Sequence, residues 1–375
     1  MKRIRDRIVA KELEKRTGKQ IEYIIDEDIM NLEELTFING EDGLVPFKDI
    51  EDFEFFNKLN GNTHVYFEGF DLTNLSFSFA NNVKKIIIKN CRIDGLCINT
   101  GKNEKGFHLE LIKVRSDSEI ELDKQFPSCT ELVIIGKATT ELTRGYTVEE
   151  ITKNMKELVP GYMELALDEQ AALLKKKGYL SIYPQRIDIT GIDKLKLLKK
   201  ISLSYMEIDE IKFSEITKYT KDIRALDEIY FRECTFNEAP VLYKQPVKRL
   251  VINSCRVIRK ELLPNFVQVE AIEVIDTKGA ELPKLNEPKL LKGLKFVNSE
   301  VNLEKIANVK ALETLIILEQ ELEDIKFAKK LKHLKTLVVT KNMVKDTSIL
   351  SKLKKLEFIE VEQDNLDAKY NELFR

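Results

Sequence analysis

The chain has 375 residues, 43% of them hydrophobic and 33% charged, with a formal net charge of −2 and an isoelectric point near 6.2. That much apolar material excludes disorder, and the near-neutral balance supplies no basic field for nucleic acid or anionic lipid. No stretch approaches the roughly 18 apolar residues of a membrane span. The opening Met-Lys-Arg-Ile-Arg-Asp-Arg has no apolar core of a secretory signal. The five cysteines, Cys91, Cys97, Cys129, Cys234 and Cys255, make no C-x-x-C pair and no zinc spacing. A reducing compartment, the cytoplasm, is the simplest expectation.

Residues 1–31 read as a helical N-terminal cap. Ile4, Ile8, Val9 and Leu13 fit a helix, which Gly18 ends. Residues 32–135 carry irregular repeats of the form L-x-x-L-x-L, in frames that start at Leu32, Asn62, Val83, Gly106 and Cys129. The first slot fails at Asn62 and Gly106, but the second and third stay apolar: Leu35 and Phe37, Val65 and Phe67, Ile86 and Ile88. Residues 43–60 interrupt the array, and Phe47, Ile50, Phe53, Phe56 and Leu59 predict a short helix on its outer side.

Residues 136–176 read as a helical insertion. Thr147 and Glu150 form a capping-box pair, Ile151, Met155 and Leu158 make a stripe, and Pro160-Gly161 breaks it. A helix-former run from Met163 to Lys177 comes next. Repeats resume over 177–363, in frames starting at Lys177, Leu198, Leu226, Val247, Val269, Leu291, Leu312, Leu334 and Leu356; from Leu226 onward the spacing is 21 or 22 residues. Residues 207–225 form a longer return with a helical stretch from Phe213 to Lys221. Residues 364–375, with Leu366, Tyr370, Leu373 and Phe374 at helical spacing, read as a C-terminal cap over the last repeat.

A period of 20–29 residues is that of the leucine-rich repeat. The last two apolar slots lie two apart, which is the strand period, so both point into the core. The expected fold is α/β: a leucine-rich-repeat solenoid with a curved parallel sheet on the concave face and irregular, 3₁₀ or helical returns on the convex face. Residues three, five and seven of each frame then form the outer, concave surface.

Two features stand out on that surface. Tyr179, Tyr183, Tyr230, Arg232 and Arg249 fall within four neighbouring coils, and Tyr and Arg are the residue types enriched at interface hot spots. Further on, Ile275, Val297, Ile316, Leu318, Val338 and Phe358 form an apolar stripe on a face that should be wet. Such a patch marks an assembly contact, or reflects sheet propensity or cover by the tail.

The sequence shows no catalytic constellation. His64, His108 and His333 are scattered, H-E-x-x-H is absent, and Gly101-Lys102 and Gly136-Lys137 do not meet the P-loop pattern. No cofactor and no metal are expected. Cys91, Cys234 and Cys255 occupy the ninth position of their frames, where free thiols in a buried ladder are the simplest reading.

The text Leu331-Lys-His-Leu334-Lys-Thr-Leu337-Val-Val339-Thr-Lys-Asn342, continued by Asp346-Thr-Ser-Ile349, resembles the 22-residue repeats of bacterial, internalin-like proteins. The N-terminal segment is similar to the helical cap that precedes such repeats. The resemblance implies that Asn342 satisfies backbone groups in a stacked ladder. It departs from the family in that Asn342 is the only Asn in that slot. It implies an interaction module and no particular partner; with the outward residues, the expectation is a non-catalytic module that binds a protein or peptide on the concave face. The alternative is a self-associating scaffold that uses Ile275, Val297, Ile316, Leu318 and Val338. An enzyme with a site at 136–183 is a further alternative.

Overall fold

A computed structural model describes residues 4–40, 43–47, 50–78, 83–99, 106–137, 139–142, 147–177, 179–183, 185–208, 226–236, 247–257, 269–277, 290–300, 302–353 and 355–362. The expected helix of 213–221 and the C-terminal cap of 364–375 lie outside them.

Thirteen strands form one parallel sheet. In chain order they are β1 Glu34–Ile38, β2 Thr63–Glu68, β3 Val83–Lys89, β4 Phe107–Ile112, β5 Cys129–Ile135, β6 Lys200–Ser204 and β7 Leu226–Arg232. They continue with β8 Val247–Asn253, β9 Val269–Ile275, β10 Gly293–Val297, β11 Thr314–Leu318, β12 Thr336–Thr340 and β13 Glu357–Val361. Each strand pairs only with the ones before and after it. This is a leucine-rich-repeat solenoid. Its core includes a file of inward residues, among them Leu35, Val65, Ile86, Leu109, Leu132, Ile201, Ile229, Leu250, Ile272, Leu294, Leu315 and Leu337, all buried. Burying each one contributes about 1.5–3 kcal/mol.

Phenylalanines fill the wide first coils. Phe37 stacks on Phe67 at 5.2 Å, Phe47 on Phe70 at 4.3 Å, and Phe53 meets Phe37 edge-on at 5.6 Å. Phe53 and Phe56 come from a 3₁₀ helix, Ile50–Lys58, where the sequence predicts a helix. The failed first slot at Gly106 also has a reason. A Cβ there would stand 2.3 Å from the Ser128 carbonyl oxygen, so the neighbouring coil leaves room only for glycine.

The coils turn by a device that the sequence does not announce. After β3, β4 and β6 to β11 the chain passes through one residue in the left-handed conformation: Asn90, Lys113, Tyr205, Glu233, Ser254, Asp276, Asn298 and Glu319, with φ from 44° to 57°. Gly69 does the same after β2. Such a conformation costs about 1–2 kcal/mol for a residue with a Cβ. It is offset by continuing the ladder: the N–H of Lys113 donates to the Ile135 carbonyl at 2.7 Å, and that of Glu233 to Asn253 at 2.9 Å.

The residues just after these turns replace an asparagine ladder with thiols and hydroxyls. The Cys255 N–H donates to Thr277 Oγ1 at 3.2 Å, and the Thr277 N–H to Ser299 Oγ at 3.1 Å. The Phe70 N–H donates to Cys91 Sγ at 3.4 Å. Asn342 is not part of this ladder. It is an exposed left-handed turn residue with φ 63°, because Thr340 Oγ1 already accepts the Glu319 N–H at 2.8 Å.

Two registers differ from expectation. The frame starting at Lys177 is not in the sheet, because β5 pairs directly with β6. Between them the chain forms α1 Val148–Leu158 and α2 Leu167–Lys176. Thr147 and Glu150 cap α1 reciprocally. A separate antiparallel ribbon joins Thr139–Leu142 to Leu180–Tyr183. In β13 the pairing slips by one residue: Phe358 stands beside inward Leu337, so Ile359 and Val361 face outward and Phe358 does not. A one-residue slip exchanges the two faces of a strand, and β13 tolerates it because both parities carry apolar residues.

The first edge of the sheet is sealed. A helix over Arg7–Thr17 packs along β1, capped by Asp6 and ended by Gly18 at φ 70°. Its buried Glu12 accepts the Thr36 N–H at 2.7 Å, and Arg16 Nε holds the same carboxylate at 2.7 Å. This charge-assisted bond occupies an edge donor that would otherwise pair with another chain.

Candidate functional site

The sheet's outer face has two unlike halves. On β1 to β7 the outward residues, buried Ser204 apart, are open to solvent in part or fully: Ile38, His64, Tyr66, Lys85, Ile87, His108, Glu110, Tyr230 and Arg232 among them. From Val251 on β8 onward they are mostly buried, including Ala271, Glu273, Ile316, Leu318, Val338 and Thr340.

The open half begins with a cleft of about 750 Å³ over β1 to β3, lined in part by Glu34, Ile38, His64, Tyr66, Lys84 and Ile87. Ile38 is an apolar side chain that stays 51% exposed at its edge. Tyr66 is held in place. Its hydroxyl donates to Glu68, whose carboxylate also takes Lys89 Nζ at 3.0 Å and Asn90 Nδ2 at 3.1 Å. Partial burial raises the Tyr66 phenol above its ordinary value, so it stays a neutral donor.

A charged cluster continues onto β4 and β5. Lys85 Nζ lies 2.7 Å from Glu110 Oε1. His108 bridges two acids, with Nε2 3.1 Å from Glu110 and Nδ1 3.3 Å from Glu131. The Nε2 contact lacks the alignment of a hydrogen bond. His108 first and Lys85 second hold the Glu110 carboxyl down at about 2, against an ordinary 4.5. A depressed carboxylate stabilises the fold above its unfolded pKa, and the contribution is lost as pH falls from about 4.5 toward 2. Between pH 7 and pH 3 the wild type is expected to lose about 2 kcal/mol more stability than Glu110→Gln, read as the difference in urea midpoints. Equal losses in the two chains would contradict this.

The five expected partner-binding residues are not one cluster. Tyr230, Arg232 and Arg249 lie on adjacent β7 and β8. Tyr183 belongs instead to the separate ribbon, and Tyr179 lies just before that ribbon's second strand. Tyr179 packs on a small core of Ile151, Met155 and Tyr162, and its hydroxyl accepts from Asn154 Nδ2 at 3.2 Å. Tyr230 accepts from Asn253 Nδ2 at 3.1 Å. Arg249 is locked between two acids. It contacts Glu228, and Nε lies 2.7 Å from Glu273, which Lys295 also approaches at 3.4 Å. Of the three sheet residues, Arg232 is the exposed one.

The apolar stripe is also not as expected. Ile316, Leu318 and Val338 are buried within the single chain, and Ile359 and Val361 replace Phe358 beside them. The cysteines are free, and burial pushes Cys91 up to about 11 and Cys129 to about 12, so these thiols are poor nucleophiles. No helix among the described residues is long and apolar enough to cross a membrane.

The chain is similar to an internalin from Listeria monocytogenes of known crystal structure. The two are 13% identical, the match covers 96% of each chain, and the TM-score is 0.33. No family model and no curated protein matches.

Proposed function

We propose that this is a non-catalytic interaction module that binds a protein or peptide along the outer face of β1 to β7. The observation that carries the reading is the contrast between the two halves of that face. The first half keeps an apolar-rimmed cleft and fixed polar groups open, while the second is closed.

Ile38 and Ile87 offer apolar anchoring in the cleft. Tyr66 is a pre-positioned aromatic donor whose ordering cost is already met by Glu68 and Lys89. Tyr230 and exposed Arg232 extend the strip toward its closed end. Arg249 contributes by shaping the surface, since its guanidinium is engaged by Glu228 and Glu273.

The test is affinity capture with the full chain, then calorimetry on any partner recovered. Tyr66→Ala and Arg232→Ala are each expected to weaken binding by about 1–4 kcal/mol with unchanged circular dichroism. A partner whose affinity ignores both substitutions would refute the site.

A further inference from the structure

Across β1 to β7 every outward acid has a basic partner among the described residues. Glu34 meets Arg16 at 3.3 Å, Glu68 meets Lys89 at 3.0 Å, Glu110 meets Lys85 at 2.7 Å, Glu131 meets His108 at 3.3 Å, and Glu228 meets Arg249. Arg232 is the opposite case. It is exposed, and no acid lies within ion-pair distance of it among the described residues. Its in-register neighbours are Ser204 on β6 and Asn253 on β8, neither of which carries a charge. Lys200 is exposed too, but it stands between Glu131 and Glu228.

Hydrogen-bond donors gather at the same place. Tyr230 lies two residues before Arg232 on β7 and shares its face, at a rise of about 6.6 Å. The Tyr230 oxygen accepts from Asn253 Nδ2 at 3.1 Å. Ser254 Oγ donates to Asn253 Oδ1 at 2.9 Å, which fixes the way round of that amide. The Tyr230 O–H proton is therefore left without an acceptor among the described residues. Half-buried Ser202 stands beside Tyr230 on β6. A guanidinium and two hydroxyls with no acid among them call for an anion.

We propose that Arg232, Tyr230 and Ser202 receive a carboxylate from an acidic segment of a peptide partner. The planar guanidinium suits the two carboxylate oxygens, and the Tyr230 hydroxyl adds a further donor. One unpaired cation balances one negative charge, which favours a carboxylate over a doubly charged phosphate. The chain's net charge of −2 exerts no general pull on anions, so the attraction belongs to this patch. The inference rests on the partner-binding reading and gives that partner its charge.

Selection of randomised dodecapeptides on the full chain tests it, with affinities of the recovered peptides read by fluorescence anisotropy. The peptides are expected to share an Asp or Glu whose change to Asn or Gln weakens binding about tenfold. Arg232→Gln is expected to weaken the acidic peptide to the same degree and the neutralised peptide no further. The Arg232 side chain is exposed, so the substitution spares the core. Lys332→Gln, at an exposed lysine outside the sheet, is expected to leave affinity unchanged. Peptides that respond to Tyr66→Ala but not to Arg232→Gln overturn this proposal and leave the partner-binding reading standing. An equal loss with Lys332→Gln also overturns it, because the attraction would then be general. Failure to recover any peptide overturns both.

Discussion

Arg249→Ala is expected to cost about 3 kcal/mol, far more than an exposed surface arginine would. Glu273 is only 2% exposed, and its carboxylate lies 2.7 Å from Arg249 and 3.4 Å from Lys295. Removing the guanidinium takes the closest cation from a buried charge and leaves it Lys295 at 3.4 Å. The cost is therefore that of leaving Glu273 under-compensated, and it should shrink when the charge goes too. Arg249→Ala combined with Glu273→Gln is expected to recover at least half of the loss in a urea double-mutant cycle. If the single substitution costs under about 1 kcal/mol, Arg249 is free to serve a partner and its assignment as an internal strut is wrong.

Phe67→Ala is the second large effect. The Phe67 ring is fully buried and touches Phe37, Phe47, Phe53 and Phe77 at centroid distances of 5.2 to 6.0 Å. Truncating such a ring costs about 3–5 kcal/mol in transfer and cavity terms. A solenoid couples each coil to its neighbours only, so the damage should be local. Amide exchange in β1 to β3 is expected to rise by about 100-fold or more, while β10 to β12 hold their protection. Uniform loss of protection along the sheet would show that the array unfolds as one unit. Because these three strands also carry the cleft, the same variant should blunt partner binding without touching a cleft residue.

Much of the fold is legible in the sequence for a simple reason. A residue such as Leu315 or Ile317 has one way to be buried, and its period states which face is buried. The failures are equally physical. The frame at Lys177 has the right alternation, but alternation says only that a strand has two faces. It does not say which sheet the strand joins, and Leu180–Tyr183 pairs with Thr139–Leu142. In β13, Phe358, Ile359 and Val361 make both registers plausible, and only the neighbours Leu337 and Val338 decide between them.

The site is less legible. Residue type points to Tyr230 and Arg249, but type does not reveal that their polar groups are engaged by Asn253, Glu228 and Glu273. In the sequence His64 and His108 are only scattered surface residues. Their place in a cleft and a charge cluster comes from the stacking of β2 to β5.

Glu12 has a consequence for crowded solutions. A parallel sheet can grow into a fibre only if each copy offers two complementary free edges, one to donate and one to receive. Here a helix packs along β1 and its Glu12 carboxylate takes the Thr36 N–H, so this edge is not open to a second copy. With one end closed by the packed helix and its buried acid, end-to-end growth through that edge is blocked.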